Sequence, residues 1–161
     1  MRVREARTED IDRIMDIYAI AKQYMDANGN ETQWKAGYPG RKVIEDDIAK
    51  GWAYVCVDKD VIYGVFEFFQ SPDPAYQEIE GAWKNDRPYG TIHRVAGSGE
   101  AKGVFETAVN YAKERCDNVR MDTHRNNRTM QHLLKKHGFE RCGTIYLADG
   151  GERWAYQYTR G

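Results

Sequence analysis

Residues 90–115 hold the most chemically suggestive order in the sequence. A β-prone run, Gly90–Ala96, is followed at once by Gly97-Ser98-Gly99-Glu100-Ala101-Lys102-Gly103. Next comes a segment whose apolar residues Val104, Ala108, Val109 and Ala112 recur at helical spacing. Strand, glycine-bearing loop and helix in that order can hold a phosphate. The first turn of a helix leaves backbone N–H groups unpaired and carries positive potential, and glycines let an anion approach them closely. Lys102 adds a charge at the same point. A plain tight turn has the same composition, so the pattern by itself leaves both readings open. Trp34, Tyr38 and Trp83 could box a cationic or aromatic group, although packing alone would account for each. A zinc site built from His124, His132, His137 and Cys142 is set aside: His132 and His137 are five apart, on different sides of a helix, and no short ligand pair exists.

The elements that must position these groups read as follows. Arg2–Ala6 is a short strand, and Thr8 caps a helix carrying Ile11, Ile14, Met15 and Tyr18 on one face. Arg41–Lys50 is a second helix, closed by Gly51. Strands at Trp52–Val57 and Val61–Phe69 flank the turn Asp58-Lys59-Asp60. Residues 71–89 form a long connection without periodicity. After the strand, loop and helix described above come a strand at Val119–Thr123 and a helix capped by Asn126 or Asn127 and running to His137. Strands at Arg141–Leu147 and Arg153–Thr159 surround Asp149-Gly150-Gly151. The order β-α-α-β-β-β-α-β-α-β-β predicts one α/β domain over 1–161, a mixed and mostly antiparallel sheet of about seven strands with helices on both faces.

Composition narrows the partners. Net charge is -1, which argues against a general nucleic-acid binder. Residues 1–100 carry 13 Lys and Arg against 18 Asp and Glu, whereas 101–161 carry 11 against 7. An acidic half beside a basic half suits a protein holding a cationic substrate next to an anionic cofactor. Three widely spaced cysteines without a CxxC pair, no apolar leader and no long apolar run point to a reducing compartment, the cytoplasm, and away from a membrane.

Thr91-Ile92-His93-Arg94-Val95-Ala96, the loop through Gly103, Asp122-Thr123-His124 with Asn127, and Lys136-His137-Gly138-Phe139-Glu140 together resemble the GNAT N-acetyltransferase pattern across nearly the whole chain. The resemblance implies acetyl-CoA as cosubstrate, no metal, and direct attack of an amine on the thioester. The amine would belong to a small molecule, an amino acid or a peptide. The family's pyrophosphate loop falls on Glu100-Ala101-Lys102-Gly103-Val104-Phe105, with an acidic first residue, Phe105 where a small residue is usual, and a loop about two residues short. It implies backbone contacts from Lys102, Gly103, Val104 and Phe105, and pantetheine pairing along Val95 and Gly97. Asn127 would contact the cofactor arm, cap the next helix, or do both. His93 is then the first candidate for the base that takes the amine proton, with a structural hydrogen bond as its other use. Glu67 is a second candidate, acting through water. The family's usual tyrosine acid falls on Leu134, which leaves Tyr146 as a replacement or an unassisted thiolate. A non-catalytic acyl-CoA binder of the same fold is the alternative, and a homodimer is left open.

Overall fold

The computed structural model describes residues 1–161. Its strands are β1 (Arg2–Glu5), β2 (Ala53–Asp58), β3 (Val61–Phe69), β4 (Glu80–Gly81), β5 (Gly90–Gly97), β6 (Asn118–Thr123), β7 (Glu140–Tyr146) and β8 (Glu152–Thr159). Four helices complete it: α1 (Ile11–Ala27), α2 (Arg41–Lys50), α3 (Val104–Lys113) and α4 (Arg128–Lys136). The strands form one sheet in the order β1-β2-β3-β5-β6-β8-β7-β4, antiparallel except for the β5–β6 pair. That parallel step is where α3 crosses over, as a parallel connection requires.

Alternation along β3 shows how the sequence builds two layers of helix. Val65 turns to one face, where Ile14, Ile17 and Ile44 of α1 and α2 bury themselves with Val55 and Val57. Phe66 and Phe68 turn to the other, meeting Val109 of α3, Leu134 of α4 and Phe139. Each helix carries an apolar stripe that the sheet covers, which is the main source of its stability.

Two expectations change. The chain has eight strands, because Glu80–Gly81 inside the long connection pairs with Gly143 and Thr144 of β7; two residues are too few to show alternation. Thr8 is not the helix cap. Residues Thr8–Asp10 form a 3-10 turn, and the Asp10 carboxylate accepts the Arg7 N–H at 2.8 Å while pairing with Arg4 at 2.8 Å. A carboxylate three residues on can close the turn from the other end. No helix of the chain is long and apolar enough to cross a membrane.

The feature that shapes the site is a β-bulge on β5. Val65 and Glu67 of β3 lie opposite Ala96 and His93, so Arg94 and Val95 together face the single residue Phe66. Arg94 takes a left-handed conformation, φ 51°. A bulge bends its strand, and β5 leaves β6 after only two register pairs, Gly90↔Val119 and Thr91↔Arg120.

Gly64 keeps α3 close to the sheet at this point. A Cβ on Gly64 would lie 2.4 Å from a methyl of Val104, in the first turn of α3. That side chain is short and branched, so it cannot swing aside. Gly64→Ala is expected to lower unfolding free energy by about 1–3 kcal/mol, as overpacking does. A denaturant midpoint equal to that of the unmodified protein would contradict this contact.

Candidate functional site

The parting of β5 from β6 opens two adjoining clefts. The larger, about 880 Å³, runs from the parted strands under the loop between α1 and α2 and out to the β7–β8 turn. The smaller, about 410 Å³, lies between α1, the N-terminus of α3 and the N-terminus of α4. Met25, Val95, Asn127 and Met130 line both, so the two meet at the gap.

The wall of the smaller cleft explains what the glycine loop does. Gly103 is the N-cap of α3 with φ 90°, a conformation that favours glycine. The first α3 bond runs from Thr107 N–H to Gly103 C=O at 2.9 Å, so the amides of residues 104–106 have no partner within the helix. Gly97, Val104 and Phe105 line this cleft. Lys102 is exposed and, with Gly103, sits at the turn of the loop rather than on the wall. Glu100, an acid beside the helix end with these free amides, is held by Arg13 at 2.8 Å, which draws its carboxylate below the usual range. Arg13 also donates to Ile62 C=O at 2.9 Å. Asn127 caps α4 by accepting the Met130 N–H at 3.1 Å, and its amide donates to Gln33 at 3.0 Å.

His93 lies in the larger cleft amid carboxylates that sequence reading did not find. Its Nε2 is 2.6 Å from Asp73 and its Nδ1 is 3.7 Å from Asp122. The Tyr76 hydroxyl donates to the same Asp122 oxygen at 2.7 Å. Burial alone would depress the His93 pKa; the hydrogen bond to Asp73 and the charges of Asp122, Asp73 and Glu67 outweigh it and raise the value. Burial likewise works against the Asp73 charge, but His93 outweighs it and holds that carboxyl below the ordinary range. With Asp73 ionised, the neutral imidazole keeps its proton on Nε2 and presents the Nδ1 lone pair.

In the wall of the cleft, a buried charge cluster fixes the bulge. The Arg94 guanidinium pairs with Glu67 at 2.8 Å and with Asp47 of α2, and donates to the Tyr38 hydroxyl at 3.0 Å. The Arg94 carbonyl accepts from Tyr18 of α1 at 2.9 Å. Burial pushes the Glu67 carboxyl up to about 7, with Asp47 adding to the rise and Arg94 opposing it. Glu67 is not among the residues that line the cleft; it pairs with Arg94 and its charge is felt by His93, its cross-strand neighbour.

The remaining candidates divide. Trp34 and Tyr38 line the larger cleft, their rings 6.1 Å apart. Trp83 does not: it donates to Tyr76 C=O at 3.0 Å and stacks on Arg120 in the satellite core beyond. Tyr146 is 49% exposed and donates to Glu80 at 3.1 Å, because β7 is separated from the gap by β8. It cannot reach a leaving thiolate there. Leu134 is fully buried in the core between α3 and α4. Asp122 had a legible signal, its place at the end of a strand beside the site. Asp73, in a loop flanked by prolines, had none.

No protein-family profile matches the chain, and no curated protein matches it either. Solved structures do. A GNAT-family acetyltransferase from Streptococcus agalactiae is 33% identical, with 99% of this chain and 95% of that one covered at TM-score 0.89. A Staphylococcus aureus protein described as a putative acetyltransferase is 28% identical over 98% of this chain and 97% of its own, at TM-score 0.71. The NatC complex bound to Gag peptide and CoA shares the fold alone, at 17% identity, full coverage of both chains and TM-score 0.56. Alternating layers, a bulged strand parting from its parallel neighbour and likeness along almost the full length agree: this chain belongs to the GNAT family of acetyltransferases.

Proposed function

We propose that the protein transfers an acetyl group from acetyl-CoA to the amine of a small molecule, amino acid or peptide by direct attack. The observation that carries this reading is the junction of the two clefts at the bulge. A helix end with free amides stands on one side and an imidazole set between carboxylates on the other.

The α3 amides and Gly97 would hold the diphosphate and the adjoining arm. The β5 edge has no strand partner past Thr91, so Val95 offers backbone groups to the pantetheine as a neighbouring strand would. The acetyl carbonyl then lies in the gap, where a β5 N–H can stabilise the oxyanion. Asp73 and Asp122 attract an ammonium to the opposite side. His93 Nδ1 takes one proton from it, the freed nitrogen lone pair attacks the carbonyl carbon, the C–S bond breaks, and the second proton of the new amide nitrogen passes to the departing thiolate or to water. The thiolate leaves without a tyrosine acid, as its conjugate thiol is already fairly acidic. The CoA-bound relative and the acetyltransferase relatives support this use of acetyl-CoA.

Release of free thiol from acetyl-CoA with a panel of amines tests the reaction, and calorimetry with acetyl-CoA and with ATP tests the cosubstrate. Binding of ATP in preference to acetyl-CoA overturns it. Acetyl-CoA binding without thiol release to any amine marks a non-catalytic binder.

Gly103→Val places a β-branched residue at φ 90°, a conformation it holds only under strain, so the turn that aims the α3 amides has to shift. Left-handed strain of about 1–3 kcal/mol predicts a rise of roughly tenfold or more in the KM for acetyl-CoA. An unchanged KM would mean the diphosphate lies elsewhere.

His93→Gln should lower kcat by about 10²- to 10⁴-fold. In the unmodified protein the acid limb of kcat/KM should lie above the ordinary histidine value of 6.5, since the imidazole must lose its proton to act and its pKa is raised. Asp73→Asn removes a charge that favours the imidazolium, so the limb should move to lower pH. A limb that stays put excludes His93 as the titrating base.

A further inference from the structure

The larger cleft contains a second charged position, Arg153, that the acetyl-transfer steps do not use. Arg153 is 9% exposed and lines the cleft. Its guanidinium donates to two backbone carbonyls, Gln33 at 2.8 Å and Glu152 at 2.8 Å. Those bonds use two of its five N–H groups. No carboxylate is in ion-pair contact with it. The other cations of the cleft are matched: Arg94 by Asp47 and Glu67, His93 by Asp73, and Lys35 by Asp149 at 3.5 Å. Asp149, the acid nearest the β8 end, is tied to Lys35 and to the Gly151 N–H at 2.8 Å. Glu152 also lines the cleft, but strand alternation sends its side chain to the other side from Arg153 and the two form no ion pair.

A largely dehydrated guanidinium that forms no ion pair, with Asp149 near enough to feel its charge but held by Lys35 and the Gly151 N–H, is a ready partner for a planar anion. The diphosphate does not fill that role, since Arg153 is absent from the smaller cleft. Geometry relates Arg153 to the base. Asp122 of β6 lies opposite Ala155 of β8. Arg153 is two residues further along β8, so it projects from the same sheet face as Asp122, about 7 Å along the strand. One end of the cleft thus offers carboxylates and a proton acceptor to an amine, and the other offers a cation.

Building on the acetyl-transfer reading, we propose that the acceptor carries a carboxylate as well as an amine, an amino acid rather than a simple amine, and that Arg153 binds that carboxylate.

The test pairs amino acids with their decarboxylated counterparts: lysine with cadaverine, ornithine with putrescine, histidine with histamine, phenylalanine with phenethylamine. Turnover is measured with acetyl-CoA, and binding by calorimetry to the CoA-loaded protein. The proposal expects at least one amino acid to be favoured over its counterpart by about 10- to 100-fold, the scale of a charged hydrogen-bonded contact. In Arg153→Gln that preference should fall to near unity, and in Arg153→Lys to an intermediate value. Taking the ratio cancels any general damage from losing the bond to Gln33. Equal use of both members of every pair, or a preference that survives Arg153→Gln, overturns the carboxylate site while leaving acetyl transfer standing. Amino acids that bind through Arg153 without any thiol release would support the site and overturn acetyl transfer. Failure of every amino acid to bind or react overturns the site.

Discussion

The site depends on keeping one strand bent. β5 carries two residues where its neighbour carries one, and the extra residue, Arg94, occupies a left-handed conformation that non-glycine residues seldom adopt. Such a backbone persists only where its surroundings over-determine it. Here α2 contributes Asp47, β3 contributes Glu67 and α1 contributes the Tyr18 hydroxyl, so three elements grip Arg94 by its guanidinium and its carbonyl. The arrangement places two carboxyls against one buried cation. Burial resolves the excess by raising Glu67 to about 7. Buried ion clusters rarely add stability over apolar packing; this one specifies a bend, and the bend separates β5 from β6.

Once the strands part, the site follows from ordinary local rules. The free amides of α3 are a property of any helix beginning, and Gly103 lets the chain turn into it. His93 sits between Asp73 and Asp122 because the connection from β3 to β5 folds back over the sheet, and Tyr76 anchors that connection by bonding to Asp122. The same connection that gave no periodic signal therefore supplies half of the base's environment.

How much of this the sequence revealed depends on the range of the physics involved. Apolar periodicity is local, and the four helices and seven longer strands fell within a few residues of expectation. Glycine chemistry is local too, and the loop before α3 was legible for that reason. The companions of His93 were not. Asp73 reaches it from 20 positions away through a loop with no repeat, and Glu67 follows Val65 to the face of α1 and α2, where Asp47 and Arg94 meet it through contacts distant in sequence. Tyr146 failed for a related reason: a hairpin can be read from Asp149-Gly150-Gly151, but the order in which its two strands join the sheet cannot. β8 took the inner place and carried Arg153 to the cleft, while β7 took Tyr146 outward.

The two residues of β4 bear on assembly. They occupy the outer rim of β7 at Gly143 and Thr144, on the side where the sheet would otherwise end in an open ladder. An identical molecule seeking to continue the sheet through the final hairpin would first have to evict that short ribbon. The terminus at β1 carries no such guard, so strand addition there would displace nothing, whereas at β7 it would meet β4 over Gly143 and Thr144.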